Sequence, residues 1–404
     1  MKRSITFLVF TVILLNFSYY PAKAQQNGDP LLILQHEGVK EAAWSPDESR
    51  ILSWSIDKET IIVWDATTGN ALLNLFHAGL RGAVWNSDAS KILSWGWDST
   101  VKVWDSHTGE NLLTLQHDSQ VSQAFWNANE TRLLSWPLPG TLYISDAISG
   151  EKLMQIHEDA GFIGSKWNTD ESQVLTWGEH GEIYVWSAIN GEKLLTLLHD
   201  DFLVMQATWN HDESVIFSWG WDDTVRLWNA NTGEPILLLR LEERGIRGAS
   251  WNVEESQILT WSYGRATVWD SKTGEVLFTL EHPLDTVSDA HWSPTENRIL
   301  TTTERGIITI WNAKTGNKIL DLNYSDLKAD EDPWFLQIAW SRGENLILVW
   351  SQINDGIILD ALDGSLLQVM SHNVGIWGVA WNADESRILT CGRDGLIKIW
   401  QSPA

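Results

Sequence analysis

A tryptophan returns along this chain at almost fixed intervals, and that interval dictates what the chain can fold into. Trp44, Trp85, Trp126, Trp167, Trp209, Trp251, Trp292, Trp340 and Trp381 follow one another at 41, 41, 41, 42, 42, 41, 48 and 41 residues. The second period is the plainest: residues 72–109 read LLNLFHAGLRGAVWNSDASKILSWGWDSTVKVWDSHTG. Its four short apolar runs, each closed by a polar or Gly-containing turn, read as four antiparallel strands. Self-similarity at about forty residues marks a repeat architecture, whose units cannot bury their apolar faces alone and must stack. The regular spacing leaves no room for a linker or second domain between repeats, so one array is expected over residues 31–404.

Residues 1–24 stand apart. Lys2 and Arg3 precede an apolar run from Ile5 to Leu15, and Ala22-Lys23-Ala24 offers a small-x-small cleavage pattern. Together these predict a secretory signal peptide; the run is shorter than the roughly 20 residues a membrane span needs. Residues 25–30 then form a short linker. The expected location is periplasmic or extracellular, with no membrane insertion after cleavage. The chain carries 28 Lys+Arg against 53 Asp+Glu, a formal charge of −25. That balance argues against nucleic acid, whose binding is dominated by cation contacts to phosphate. The single cysteine, Cys391, excludes an internal disulfide and takes a strand position held by Trp in most other repeats, which predicts a buried structural thiol.

The Asp-containing turn with its following Trp-Asp recurs as SIDKETIIVWD, GWDSTVKVWD, GWDDTVRLWN and GRDGLIKIW. In these motifs the chain resembles the WD40-repeat β-propeller family over nearly all of residues 31–404. The resemblance implies an all-β fold: a single closed propeller of four-stranded blades around a central channel. Strand counting gives nine blades, or eight if the degenerate repeat eight (INDGIILDALDG) is dropped. The orphan strand Leu31–Gln35 matches the fourth strand of other repeats, and the chain stops just past Trp400. The N-terminal strand is therefore expected to complete the last blade.

The resemblance also implies a structural network of His, Ser/Thr, Asp and Trp within a blade. Residue by residue it falls on His36, Ser53, Asp57 and Trp64; His77, Ser94, Asp98 and Trp104; His199, Ser218, Asp222 and Trp228; and His372, Thr390, Asp394 and Trp400. Other repeats depart from it, with Pro137-Leu138-Pro139 replacing the Asp turn of repeat three and Arg305 at the Asp position of repeat seven. His36, His77, His117, His157, His199, His282 and His372 are read as sharing one repeat position. Sheets packed about 10 Å apart cannot bring such residues to one ion at ligand distances of about 2 Å. Trp54, Trp95, Trp136, Trp177, Trp219, Trp261 and Trp350 close the third run, and their bulk is expected to widen the spacing between blades.

No His-Glu-x-x-His, Gly-x-Ser-x-Gly, phosphate loop or EF-hand spacing is present. The chain is read as a non-enzyme without cofactor or metal. The expected function is an exported scaffold, monomeric, that binds other proteins through the loop face and channel mouth. The alternative is a propeller enzyme or a small-ligand or sugar-binding propeller with its site at the channel. The position four before each ruler Trp varies among repeats, whereas positions five and two before it and the Trp itself are monotonous: it holds Lys40, Arg81, Met205, Arg247 and Trp377, the Arg/aromatic mixture of interface hot spots. Repeat eight adds a long loop, NYSDLKADEDPW, in which Tyr324 and Trp334 flank Asp326, Asp330, Glu331 and Asp332. Trp334 completes the candidate binding set.

Overall fold

The computed structural model describes residues 28–403 except 139, 159–160, 201, 242–244, 328–335 and 354. The expected signal peptide, the first half of the linker, Trp334 and the acids 330–332 lie outside the described residues.

Strands of mostly four to six residues alternate along the whole chain and pair with their sequence neighbours. Each repeat gives the four predicted strands; in repeat two these are Leu80–Trp85, Lys91–Gly96, Thr100–Asp105 and Asn111–Gln116, antiparallel in that order. Among the described residues there are seven four-stranded sheets and one of seven strands. The longer sheet joins repeats six and seven, because the continuous strand Val276–Trp292 serves as the fourth strand of one and the first of the next. Repeat eight, for all its departures, builds a full four-stranded sheet. Leu32–Gln35 pairs antiparallel with Leu396–Gln401, so the first strand of the chain completes the sheet of its last repeat. Among the described residues no helix is long and apolar enough to cross a membrane.

The core is distributed between sheets. Nine apolar clusters each combine side chains of two successive repeats, and one unites Val39 and Ile51 of repeat one with Leu389 and Ile397 of repeat nine. The third-run tryptophans enter these shared clusters: Trp54 at 8%, Trp95 at 8%, Trp136 at 4% and Trp219 at 7% exposure lie against the following repeat. Trp95 also donates from Nε1 to the carbonyl of Ser122 in repeat three. Its indole lies so flat on the facing strand that a Cβ on the cross-strand partner Gly82 would sit 2.3 Å away. The thiol of Cys391 is buried and pushed up to about 12 by burial, which keeps it protonated.

Turns on one side of the array bind the sheets to one another. Four residues after the ruler Trp, eight repeats place a glutamate at φ between 55° and 60°. That left-handed backbone aims the carboxylate at the equivalent turn of the preceding repeat. Glu130 accepts from Asn86 Nδ2 at 2.8 Å and from the Ser87 N–H; Glu255 accepts from Asn210 Nδ2 at 3.1 Å and the His211 N–H. Glu48 accepts from Asn382 Nδ2 at 3.0 Å and the Ala383 N–H, tying repeat one to repeat nine. The exception is Ala89, which has no carboxylate to reach the Ser45-Pro46 turn of repeat one. There Arg50 crosses instead, donating to Ala89 O at 2.6 Å and Ser106 O at 2.9 Å.

Candidate functional site

In an antiparallel four-stranded unit the first and third turns emerge on one face, and the second turn and the inter-repeat loop emerge on the other. The glutamate latches occupy the first face, which leaves the Asp turns and His loops to the second. The variable position four before the ruler Trp opens the innermost strand on this second face.

The ladder explains why that position can vary. In repeat one Val39 faces Ser55 and Glu41 faces Trp54, so Lys40 is the extra residue of a β-bulge. Arg81 lies between Leu80↔Gly96 and Gly82↔Trp95, Met205 between Val204↔Gly220 and Gln206↔Trp219, and Trp377 between Ile376↔Gly392 and Gly378↔Cys391. Ser122 and Ser288 occupy the same bulges. Arg247 directly precedes the strand that starts at Gly248. A bulged residue is released from strand alternation and its side chain is re-aimed. The fold therefore frees this side chain from the ladder in six repeats, on the loop face of the array.

These side chains meet partners within their own repeat and across repeats. Lys40 Nζ lies 3.6 Å from the centroid of Trp377, and the Arg393 guanidinium lies 5.3 Å from the same ring. Arg81 stacks at 4.8 Å on Trp97, which is 49% exposed. Arg247 forms an ion pair with Glu304 at 3.0 Å. It also lines a groove of about 980 Å³ with Phe202, Trp221, Arg240 and Tyr263. Trp221 is 60% exposed and Met205 38%. Tyr324, at the start of the repeat-eight loop, is instead buried and donates to Asp355 O at 3.2 Å, anchoring the loop rather than lining a site.

Beneath this face lie the expected networks. In repeat five Trp228 Nε1 donates to Ser218 Oγ at 2.9 Å, Ser218 pairs with His199 Nε2 at 2.8 Å, and His199 Nδ1 reaches Asp222 at 3.0 Å. Repeat nine repeats this through Trp400, Thr390, His372 and Asp394 at 2.8, 2.8 and 2.9 Å. Repeat two joins Trp104, Ser94, His77 and Asp98, with Thr100 sharing the last contact at 2.9 Å. A proton order of Trp to Ser or Thr, hydroxyl to His, and His to Asp satisfies every donor. Burial holds His36, His77, His117 and His282 at about 4, so they are neutral at pH 7. Burial raises the Asp222 carboxyl, but hydrogen bonds from His199, Thr224 and the Asp200 N–H outweigh it and hold the group far below the usual range.

Two readings are corrected. Asp57 is exposed, and His36 Nε2 pairs with Thr60 Oγ1 at 2.9 Å; His36, Ser53 and Trp64 otherwise join as expected. The turn of repeat one has one more residue, eleven from Ser53 to Trp64 against ten from Ser94 to Trp104, which moves Asp57 out of reach. His157 is exposed and ends its strand opposite Thr141, where Gln116 faces Thr100 in repeat two, so it sits one residue short of the network position.

Trp97 and Trp221 escape the sequence reading, although a signal for them exists. Of 27 tryptophans, nine are ruler residues, seven end the third run and seven the Asp-turn strand, leaving Trp97, Trp221, Trp334 and Trp377. Of these four, the three within the described residues lie on the loop face. Among the described residues no group of three His, Cys, Asp or Glu could hold a metal ion.

Residues 191–229, 274–312 and 364–401 match the WD40 family model, described as WD domain, G-beta repeat. A WD repeat-containing protein of Dictyostelium discoideum is 28% identical over 106 residues, covering 26% of this chain and 6% of that protein. Striatin of Rattus norvegicus is 27% identical over 117 residues, covering 25% of this chain and 15% of striatin. The chain thus spans a small part of these relatives' length. Among solved structures, the C-terminal WD40 domain of Sif2 superposes with a TM-score of 0.62 at 15% identity, covering 94% of this chain and 99% of that one. The computationally designed Ika8 protein gives 0.59 at 19% identity, covering 80% and 96%. The chain carries WD40 repeats and has a WD40 propeller-like, all-β fold.

Proposed function

We propose that this chain of WD40 repeats is an exported, non-catalytic scaffold that holds other proteins on its loop face. WD40-repeat domains generally serve as protein-interaction scaffolds. The observation that carries the reading here is the bulge series: in six of the nine repeats the position four before the ruler Trp is freed from the strand ladder, and its residue type changes from one repeat to the next. Exposed Trp97, Trp221, Phe202 and Tyr263 add the aromatic area that interface hot spots use. The sheets are taken to form one closed ring of nine blades, the seven-stranded sheet counting as two. The chain of shared clusters and the Glu48 latch between first and last repeats support that count. Export rests on the N-terminal segment, with cleavage after Ala24.

The test is affinity capture from envelope and culture-medium extracts of the source organism. Mature wild type runs beside a folded Arg81→Glu, Arg247→Glu, Trp377→Ala variant. A partner retained by wild type and lost by the variant is expected; equal retention by both would remove the loop face from the proposal. Mass spectrometry of the exported protein should find Gln25 at its N-terminus.

A further inference from the structure

We infer that the loop face where repeats nine, one and two meet is a docking site for an acidic peptide segment, contacted by Lys40, Arg81 and Arg393. The inference rests on the scaffold reading and names the chemistry of the partner. It comes from how this strongly acidic chain disposes of its cations. Elsewhere on the loop face Arg247 is neutralised by Glu304 at 3.0 Å, Arg226 by Asp222 at 2.9 Å and Arg240 by Asp200 at 3.6 Å, while the exposed Arg305 of repeat seven has among the described residues neither an ion pair nor an aromatic ring beneath it. Among the described residues Lys40, Arg81 and Arg393 form no ion pair. Each lies on an indole instead, Lys40 and Arg393 on Trp377 and Arg81 on Trp97.

Nearby carboxylates are already engaged. Asp98 receives the Thr100 hydroxyl at 2.8 Å, and Asp394 faces His372 at 2.9 Å and the Asn373 N–H at 3.1 Å. Glu59 accepts from the Gly79 N–H at 2.8 Å, and Glu37 pairs with Lys58 at 2.8 Å. Glu41, which follows Lys40, is the exception: its carboxyl is raised by burial and lowered by the charge of Lys40. The Nε–H of Arg81 is buried without an acceptor, so the ring stack and not an internal acid fixes the guanidinium. A cation held on an aromatic face keeps its charge and its outward donors, and carboxylate is the protein group that guanidinium best matches. Lys40 and Arg81 hold equivalent bulges on successive inner strands, so an extended acidic segment can meet both.

The experiment is selection of a random decapeptide display library on the immobilised mature protein at physiological salt. Anisotropy titration of the winning labelled peptide then follows on wild type, Arg81→Glu, Lys40→Glu and Arg240→Glu, each checked for folding by circular dichroism. Asp/Glu-rich peptides are expected. Arg81→Glu and Lys40→Glu should each weaken them at least about tenfold, and Arg240→Glu by less than about fivefold because it breaks an exposed pair. Acidic peptides indifferent to Arg81 and Lys40 would overturn the site. Neutral apolar peptides would overturn the chemistry and leave the scaffold reading standing. Selection of nothing, with retention on sulfated dextran, would overturn both in favour of a polyanionic glycan.

Discussion

Eight left-handed glutamates are a costly choice of residue, and removing one tests what the cost secures. Glu48 has φ +56, where a Cβ is disfavoured by about 1–2 kcal/mol and glycine is not. Its carboxylate accepts from Asn382 Nδ2 and the Ala383 N–H across the meeting of first and last repeats. Hydrogen bonds to a charged group contribute roughly 1.5–3 kcal/mol each. The Glu48 side chain is 22% exposed and water can reach the freed groups, so the pair should be worth about 2–3 kcal/mol, no more than two bonds at the low end would give together. Glu48→Ala keeps the backbone strain and loses the latch. Glu48→Gly loses the latch but relieves the strain, so it should cost about 1 kcal/mol less than alanine.

Hydrogen exchange reads the effect where it acts. In Glu48→Ala the amides of Leu32–Gln35 and Leu396–Gln401 should exchange faster by about thirtyfold or more, the factor that 2 kcal/mol gives. Glu171→Ala should leave them unchanged and loosen the boundary of repeats three and four, where Glu171 accepts from Asn129 at 3.2 Å. Unchanged exchange in Glu48→Ala, or a glycine variant as damaged as the alanine one, would refute the latch.

Other outcomes follow from the networks. Burial lowers His36, His77, His117 and His282 from 6.5 to about 4. The unfolded chain therefore binds more protons between these values, so stability is complete above about pH 6.5 and is lost as pH falls toward 4. Glu130 and Glu344 are also lowered, their burial outweighed by hydrogen bonds from Ser87 and Thr295, and add a loss below about pH 4.3; a urea midpoint flat from pH 7 to 4.5 would contradict this. Ser218→Ala orphans the Trp228 N–H and one His199 nitrogen and should cost about 2–4 kcal/mol by urea unfolding. Ser135→Ala, whose longer 3.2 Å contact to His117 is its main loss, should cost about 1 kcal/mol. Arg50→Met removes the guanidinium that replaces the ninth latch and should cost about 2 kcal/mol, with faster exchange confined to repeats one and two.

The fold was legible because packing repeats. A strand that must bury a Trp every 41 residues and close on Trp-Asp leaves the same mark each time, even in repeat eight, where the His and the Trp-Asp are gone and the sheet persists. What sequence hides is counted in single residues. One extra residue between Ser53 and Trp64 exchanges Asp57 for Thr60, and one fewer before the loop leaves His157 outside. The bulges hide for the same reason. Lys40, Arg81 and Trp377 fall out of the ladder through a count of partners on the facing strand, which no residue type announces.

Repetition itself supplies the control that a lone sequence otherwise lacks. On the latch face the chain keeps glutamate eight times at a backbone angle that resists it, so that face answers to the packing of neighbours. On the loop face the equivalent position passes from lysine to arginine, serine, methionine and tryptophan, and the supporting bulge stays constant beneath it. Tryptophan sorts the same way: where the fold needs it, it recurs in seven or nine repeats, whereas Trp97 and Trp221 share a turn position that is Trp only in repeats two and five, Trp377 holds the variable bulge of repeat nine, and all three stand on the face that varies. Latches that relieve the loop face of holding the repeats together leave its residues free to be chosen one by one. Recognition is then expected to differ from one sector of that face to the next, cationic where repeats nine, one and two meet and aromatic along the groove of repeats five to seven.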